Sequence, residues 1–374
     1  MKKVLIIFTL MILFIVSCGE KKVEEDSKVD TTKESVKTEK ELKVAVVYST
    51  GGLGDNSYND ATKRGLERAK AELGIEYVGY EPKDPNTEAE NKLREFAESE
   101  EYALIIATGF TMKDAMTNVA KDFPNQKFLI TDEKITDLPN VASLTFKEHE
   151  GSFLAGALAA MMSKTGTVGY VGGAEAPVIQ KFEIGFEQGA KYVNPEIKFL
   201  PVYIGGTNAF NDPASAKIKT EAIIAQGADV IYHASGASGQ GVFQAAKDKG
   251  IYAIGVDSNQ DSLVKGTILT SMIKKIDTGI FNIIKDVKEN KFEAKVYELG
   301  LKEDGLELTN FEFTKDKIGE ENIKKLDEIK QKIVSGEILN EESDALDLEN
   351  NIIQEYCNGS DYDEVTVEIF NGSV

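Results

Sequence analysis

The chain has little of several residue types on which common functions depend. Its 374 residues include no tryptophan, two histidines, two cysteines and only three arginines. Sequence-independent nucleic-acid binding needs clustered Lys and Arg, whereas this chain has a formal net charge of −20. Nucleic acid is therefore not an expected partner. The scarcity of arginine also disfavours a strongly anionic ligand, because arginine is the favoured bidentate partner of carboxylate and phosphate.

The N-terminal residues are typical of an export signal. Lys2 and Lys3 precede an apolar run of about 13 residues, which is shorter than the roughly 20 residues that span a bilayer. The following Ile15-Val16-Ser17-Cys18 resembles the bacterial lipobox, in which the cysteine becomes lipid-modified. We predict a signal peptide over residues 1–17 and a lipid anchor at Cys18; the alternative is an ordinary signal peptide with a coincidental cysteine.

Two further segments differ in composition from the rest of the chain. Residues 18–41 are rich in Lys, Glu, Asp, Ser and Thr without apolar periodicity, which predicts a flexible tether behind the lipidated cysteine. Residues 340–374 contain ten Asp or Glu and no Lys or Arg, so this end holds half of the net charge. We predict an acidic C-terminal extension over residues 339–374, either solvated or adding an edge strand from Val365 to Gly372.

The central part of the chain has an α/β pattern. Between Leu42 and about Leu299, short β-branched runs such as Lys43 to Tyr48 alternate with longer amphipathic segments such as Asp60 to Leu73. This alternation predicts parallel sheets joined by right-handed crossovers. We predict two doubly wound parallel sheets. A single barrel of eight parallel strands is the competing geometry, and the later segments disfavour it because they break the strand-helix rhythm.

Polar and glycine-rich residues cluster where the predicted strands end. Ligands bind beyond the carboxyl ends of the strands in open parallel sheets, so these loops predict one cleft if the two sheets face each other. The loops are GGLGDNSYND (Gly51 to Asp60), TGF (Thr108 to Phe110), TDE (Thr131 to Glu133), GGAEAP (Gly172 to Pro177), GGTNAFNDP (Gly205 to Pro213), ASGASGQG (Ala234 to Gly241) and VDSNQD (Val256 to Asp261).

None of these loops carries a recognised catalytic motif. Gly51 to Asn56 lacks the third glycine of a dinucleotide-binding turn, and the Lys-Ser/Thr pair of a Walker motif is missing. Gly236 to Gln240 has glutamine where a nucleophile elbow needs its second glycine. His149 and His233 are interpreted as structural or cleft-lining, and no Cys/His cluster has zinc spacing. We therefore predict no catalytic residue, no metal and no cofactor.

The remaining cleft residues suit a neutral polyhydroxylated or heteroaromatic ligand. Asp55, Asp132 and Asp257 can accept hydrogen bonds from sugar hydroxyls or base N–H groups, while Tyr58 and Phe210 offer π faces for stacking. Each residue also has a structural interpretation. The aspartates can be helix caps or turn residues, and the aromatic rings can belong to the core.

Together the loops resemble, in order and spacing, the basic membrane protein family of bacterial substrate-binding lipoproteins, which includes the purine nucleoside receptors. The matching stretches are DNSYND (Asp55 to Asp60), FKEHEGSFLAGALAA (Phe146 to Ala160), FEIGFEQG (Phe182 to Gly189), FNDPASAK (Phe210 to Lys217), IYHASGASGQGVFQAAKDKG (Ile231 to Gly250), AIGVDSNQ (Ala253 to Gln260) and TSMIKKID (Thr270 to Asp277).

The resemblance implies a type I periplasmic-binding-protein fold, with two α/β lobes joined by three crossovers. We place the first lobe in residues 42–148 plus about 257–290, and the second in residues 149–256 plus about 291–338. The implied ligand-binding residues are Asp55, Asn56, Tyr58, Asn59, Asp132, Phe210, Gly236, Asp257 and Lys274.

The resemblance also implies a role for each part of that set. Tyr58 and Phe210 would sandwich a purine base from opposite lobes, although the family motif usually has Phe at position 58. Hydrogen bonds to the base would come from Asp55, Asn56 and Asp132. The ribose end would be held by Asp257, Lys274 and Gly236.

The expected function is capture of a purine nucleoside for an ABC importer. The chain would act as a monomer anchored to a bacterial membrane outside the cytoplasm, and would deliver ligand to a permease and its ATPase. Binding is then the whole activity, and the protein is not an enzyme. Two alternatives remain: a sugar receptor of the same fold, and a surface adhesin or antigen without a small ligand.

Overall fold

The computed structural model describes residues 42–338. The predicted signal peptide, the lipid anchor at Cys18, the tether and the acidic extension lie outside the described residues. Within residues 42–338, no helix combines the length and the apolar character needed to cross a bilayer.

The first sheet has six strands, all parallel, in the order β11-β5-β4-β3-β1-β2. Their bounds are β1 Lys43–Val47, β2 Glu76–Tyr80, β3 Leu104–Thr108, β4 Phe128–Thr131, β5 Val141–Phe146 and β11 Val296–Leu299. The helices that cover this sheet are α1 Tyr58–Leu73, α2 Pro85–Glu98, α3 Lys113–Asp122 and α8 Ile276–Lys288.

Both faces of this sheet are buried. Val44 and Val46 belong to the core on one face, while Ala45 and Val47 belong to a separate core that includes residues of α2 and α3. Successive side chains of a strand point to opposite faces, so a strand covered on both sides reads as a continuous apolar run. This explains why the sequence of β1 shows no polar alternation.

The second sheet also has six strands, in the order β12-β10-β9-β8-β6-β7, and only β12 is antiparallel. The strands are β6 Thr167–Gly172, β7 Lys198–Tyr203, β8 Val230–Ala234, β9 Tyr252–Asp257, β10 Ile268–Lys274 and β12 Leu306–Leu308. The helices are α4 Glu148–Met162, α5 Pro177–Val193, α6 Pro213–Ile224, α7 Gly239–Lys249, α9 Lys315–Ile318 and α10 Glu320–Ser335.

The chain passes between the two sheets three times, after β5, after β10 and after β11. The crossing segments are hydrogen-bonded to their surroundings: Lys147 N donates to Leu299 O at 3.0 Å, and Lys275 N donates to Gly305 O at 2.9 Å. The predicted type I periplasmic-binding-protein architecture is confirmed. Two separate open sheets also show that the barrel alternative is wrong.

Two of the predicted lobe boundaries differ from the structure. Residues 257–274 were assigned to the first lobe, but β10 pairs with β9 in the second sheet. Residues 291–299 were assigned to the second lobe, but β11 pairs with β5 in the first sheet. The reason is that strand pairing is non-local, so the spacing of segments does not reveal which sheet a late strand joins. We define the first lobe as residues 42–146 and 276–299, and the second as 148–274 and 300–338.

Candidate functional site

A cavity between the lobes is built from loops at the carboxyl ends of strands. The loop after β1, the turn after β3 and the residue after β4 come from the first lobe. The ends of β8, β9 and β10 come from the second lobe, as does α5. Of the nine predicted site residues, eight line this cavity: Asp55, Tyr58, Asn59, Asp132, Phe210, Gly236, Asp257 and Lys274.

Asn56 is the predicted residue that the structure places elsewhere. Its neighbours Asp55 and Ser57 are buried, whereas Asn56 is exposed and lines a different cavity together with Arg64. Its φ of 52° is left-handed, and its main-chain oxygen accepts a hydrogen bond from Gln260 Nε2 at 3.1 Å. The tight turn before α1 therefore turns this side chain away from the cleft, which corrects its predicted contact with the base.

Aromatic rings from both lobes line the cavity. Tyr58 and Phe110 belong to the first lobe, and Phe182 and Phe210 belong to the second. The rings of Phe110 and Phe210 meet edge to face, with centroids 6.3 Å apart. A Cβ at Gly173 would lie 2.4 Å from the Phe210 ring, so the glycine makes room for this ring. A planar ligand could therefore contact π faces from opposite sides.

Asp55 is committed to the start of α1. Its Oδ1 accepts from the main-chain N–H groups of Ser57 at 2.8 Å and Asp60 at 3.1 Å. Its Oδ2 accepts from Asn59 N at 2.8 Å and Asn59 Nδ2 at 3.1 Å. Burial raises the pKa of Asp55, and these backbone donors oppose the shift. Both oxygens thus serve as the helix cap that the sequence offered as the structural interpretation.

Asn59 is likewise held by the protein. Its Oδ1 accepts from Ser49 N at 3.0 Å and from Ser49 Oγ at 3.1 Å. Together with its bond to Asp55, these contacts tie the loop after β1 to α1. Asn59 lines the cavity, but its side chain is largely used in shaping it.

The hydroxyl of Tyr58 has a partner inside the protein. It forms a hydrogen bond with Thr131 Oγ1, which also accepts from Gly109 N at 3.1 Å. Burial and the neighbouring Asp132 carboxylate raise the pKa of Tyr58 well above its ordinary value. Tyrosine therefore suits this position, where the family motif usually has phenylalanine, because its hydroxyl is satisfied within the protein and its ring remains a stacking surface.

Lys274 lies at the base of the cleft between two acidic groups. Its Nζ is 2.6 Å from Asp132 Oδ1 of the first lobe and 2.9 Å from Glu148 Oε1 of the second. Only 1% of the Lys274 side chain is exposed. Burial alone would lower the pKa of Lys274, but the Asp132, Glu148 and Asp257 carboxylates raise it overall. The lysine is therefore a fixed positive charge at the end of β10, the strand that precedes the second crossing between the lobes.

Asp257 ends β9 in a left-handed conformation with a φ of 63°. Its Oδ2 accepts a hydrogen bond from Ser57 Oγ at 2.5 Å. Burial raises the pKa of Asp257 to about 6, although Lys274 and the Ser57 hydroxyl favour the ionised form. Within residues 42–338 its Oδ1 has no hydrogen bond from the protein, which makes Asp257 a candidate acceptor for a ligand.

Neither His149 nor His233 is among the described residues that line the cavity. His233 is buried, with Nδ1 3.1 Å from Ser235 Oγ and Nε2 3.2 Å from Gln260 Oε1. Burial lowers the pKa of His149 and of His233 to about 4, so both are neutral at physiological pH. In the part of the chain that the structure describes, His, Cys, Asp and Glu side chains form no group of three or more suited to a metal ion.

Comparison with known proteins agrees with this geometry. Residues 42–344 match the model of the Bmp family, described as PnrA-like substrate-binding proteins of ABC transporters. The chain belongs to this Bmp family. Members of the Bmp family are solute-binding proteins of ABC transporters and not enzymes.

Individual Bmp relatives cover most of the chain. The "CD4+ T-cell-stimulating antigen" of Listeria innocua is 34% identical over 344 residues, which are 86% of this chain and 92% of the relative. The "ABC transporter nucleoside-binding protein BmpA" of Lactococcus lactis is 33% identical over 300 residues, which are 75% of this chain and 84% of the relative. A crystal structure of a solute-binding protein of an ABC transporter system from Aeropyrum pernix superimposes with a TM-score of 0.76 at 29% identity, covering 85% and 98% of the two chains.

Sequence reasoning missed several residues that shape the Bmp cleft. Phe182 lies in the quoted FEIGFEQG segment and Phe110 in the TGF loop, yet neither was singled out. Glu148 and Thr131 were missed as well, although they hold Lys274 and Tyr58. The motifs show which residues are aromatic or charged. They do not show which face of α5 meets the first lobe, and this face decides that Phe182 lines the cavity.

Proposed function

We propose that the chain captures a purine nucleoside in the interlobe cleft and presents it to an ABC importer. The observation that carries the proposal is the pair of aromatic rings, Tyr58 and Phe210, that come from opposite lobes and line one cavity. Stacking on aromatic side chains contributes about 1–3 kcal/mol per base and tolerates different bases. The nucleoside-binding relative from Lactococcus lactis supports the same ligand class.

The polar residues suit the hydroxyls of a sugar. Asp257 has an oxygen available to accept from a hydroxyl, and Gly236 lines the same cavity. Lys274 is a donor beside Asp132, so a hydroxyl placed there could both donate and accept. Asp55 and Asn59 support the cleft through the start of α1, and we do not assign them a direct contact with the base.

The charge of the cavity favours a neutral ligand. Asp55, Asp132 and Asp257 line it, and the one Lys or Arg among its described lining residues is Lys274, which is already paired. A phosphate or a free carboxylate would meet excess negative charge in a buried site, where Coulomb interactions are strong. This supports a nucleoside over a nucleotide or an amino acid.

Binding between two lobes suits a receptor that reports its ligand by closing. A ligand that contacts both lobes shifts an open-closed equilibrium by the difference in its affinity for the two states. A permease and its ATPase would recognise the closed form. We propose that the receptor is a monomer held by a lipid at Cys18 outside the cytoplasm, in keeping with the relatives from Pyrococcus that are named lipoproteins.

The test is thermal unfolding of the full-length protein, purified in mild detergent, with nucleosides, free bases, pentoses, hexoses and amino acids. A ligand at 100 times its dissociation constant adds about 2.7 kcal/mol to the free energy of unfolding. Stabilisation by inosine, guanosine or adenosine but not by ribose supports the proposal. Stabilisation by sugars alone would indicate a sugar receptor of the same fold. If no compound stabilises the protein, a surface adhesin or antigen without a small ligand becomes the favoured function.

A further inference from the structure

A further cavity adjoins the binding cleft, near the point where the chain first crosses from the first lobe to the second. Its walls come from the ends of β4 and β5 in the first lobe and from the starts of α4 and α5 in the second. It shares three lining residues with the cleft: Phe110, Asp132 and Val178. We call it the side chamber. Neither the sequence motifs nor the predicted roles of the site residues account for it.

Buried polar atoms without partners converge on the side chamber. Among residues 42–338, four buried side-chain oxygens have no hydrogen-bond partner, and three of them belong to residues that line this chamber. Asp132 Oδ1 is one of the three, but Lys274 Nζ lies 2.6 Å from it. The other two are the Thr145 hydroxyl and Glu148 Oε2, on side chains that are 5% and 1% exposed.

Neither of these two oxygens has a hydrogen-bond partner in the described part of the protein. Lys181 Nζ lies 4.0 Å from Glu148 Oε2, which is too long for a hydrogen bond. A buried polar group without a partner is costly, and native proteins contain few of them. Two such oxygens in the wall of a chamber that opens from a binding cleft point to hydrogen bonds made with bound ligand.

The chemistry of the chamber selects the kind of ligand group. Phe146, Pro177 and Val178 provide an apolar wall, the Asp132 and Glu148 carboxylates offer hydrogen-bond acceptors, and Lys134 and Lys181 offer donors. A hydroxyl can donate to a carboxylate and accept from a neighbouring donor at the same time, and the C–H face of a sugar packs on apolar side chains. These properties together fit a polyhydroxylated group.

We propose that Thr145 and Glu148 form a subsite that recognises a sugar hydroxyl of the bound ligand and so favours a nucleoside over its free base. The proposal rests on the proposed function and places the sugar beside Asp132, which lines both cavities, so Asp132 is assigned to the sugar and not to the base as the resemblance implies. Thr145 and Glu148 are then specificity-determining residues of the receptor.

The experiment compares inosine with its free base, hypoxanthine, by calorimetric titration of the full-length protein in detergent. Thr145→Val removes the hydroxyl and keeps the shape of the side chain. The matched control is Thr62→Val, which removes the fourth buried oxygen without a partner, on a side chain of α1 that is not among the lining residues of the cavities described above. Thr145→Ser keeps the hydroxyl and is the conservative variant.

We expect Thr145→Val to weaken inosine binding roughly three- to tenfold, as for the loss of one hydrogen bond, and to leave hypoxanthine binding unchanged. Thr145→Ser should retain most of the preference for inosine. Both valine variants should raise the unfolding temperature of the ligand-free protein, because each removes an unpartnered buried hydroxyl. Only at position 145 should this gain in stability accompany a loss of affinity.

An unchanged ratio of inosine to hypoxanthine affinity in Thr145→Val, with wild-type binding intact, would overturn the subsite and leave the proposed function standing. Equal losses for both ligands would also overturn it, because they would indicate a structural role for Thr145. If the wild-type protein binds neither compound, the same titrations are made with the purine nucleoside that stabilises it and that nucleoside's free base; if no purine nucleoside stabilises it, the proposed function fails and the subsite falls with it.

Discussion

Ser57 of the first lobe donates a 2.5 Å hydrogen bond to the carboxylate of Asp257 in the second lobe. Two further bonds join the same segments, since Ser258 Oγ donates to Ser57 O at 2.9 Å and Gln260 Nε2 donates to Asn56 O at 3.1 Å. The turn before α1 therefore rests on the end of β9. Asp257 both links the lobes and lines the cavity, so its ionisation state affects both.

Nucleoside affinity should depend on pH through Asp257, whose pKa is raised to about 6 in the ligand-free protein. A sugar hydroxyl donates to the ionised carboxylate, so affinity should be full well above this pKa and should decline as the pH falls through about 6. Because burial penalises the ionised form, the same group should make the ligand-free protein more stable below this pH than above it. Calorimetric titration and urea unfolding over a pH series measure the two trends.

Two variants test this assignment. Asp257→Asn cannot ionise, so its affinity and stability should lack the component that titrates near pH 6 in the wild type. Ser57→Ala removes a donor that favours the ionised form, so the pH midpoint of binding should move upward. Parallel pH profiles in the wild type and Asp257→Asn would assign the effect to another group.

Removal of both stacking rings should abolish nucleoside binding while the fold persists. Each of Tyr58→Leu and Phe210→Leu should weaken binding by about 1–3 kcal/mol, and the double variant should show no calorimetric signal. Circular dichroism checks the fold. Tyr192→Leu is the control, because Tyr192 is a 46% exposed aromatic residue of α5 outside the cavity lining. Retained affinity in the double variant would refute the sandwich.

Tyr58→Phe separates the ring from its hydroxyl. The phenylalanine ring still stacks, so nucleoside affinity should change less than threefold, roughly the effect of a weak contact. The lost hydrogen bond to Thr131 should lower the free energy of unfolding by about 1 kcal/mol, as measured by urea denaturation. A large loss of affinity with unchanged stability would instead indicate that the hydroxyl contacts the ligand.

Lys274→Met should destabilise the protein strongly, by about 3–5 kcal/mol, because it leaves the buried Asp132 and Glu148 carboxylates without their cation. The loss should shrink as the pH falls, because burial raises the pKa of Asp132 and its protonation removes one unpaired charge. Lys275→Met is the adjacent control. Lys275 pairs with Asp304, which is 80% exposed, and the change should cost under about 1 kcal/mol. Urea denaturation of the two variants at several pH values provides the comparison, and similar losses would contradict a special role for Lys274.

Much of the cleft was predictable from local signals. Strands such as β3 and β4 are continuous β-branched or apolar runs, and the residues after them are polar or glycine, so the chemistry at the carboxyl ends could be inferred. Eight of the nine predicted site residues line the cavity for this reason. Asn56 is the exception, because residue type does not show which members of the tight turn before α1 face the cleft, and Asn56 is exposed and lines a different cavity.

The sequence by itself determined the strand-helix alternation, the polar loops and the family to which the chain belongs, because these depend on residue type and on short-range order. Only the tertiary structure decided that β10 joins the second sheet and β11 the first, since pairing joins segments far apart in the chain. It also decided that Ser57 meets Asp257 and that Thr145 and Glu148 meet beside the cleft. Hydrogen-bond partners and burial arise from packing two lobes together, and no local pattern encodes them.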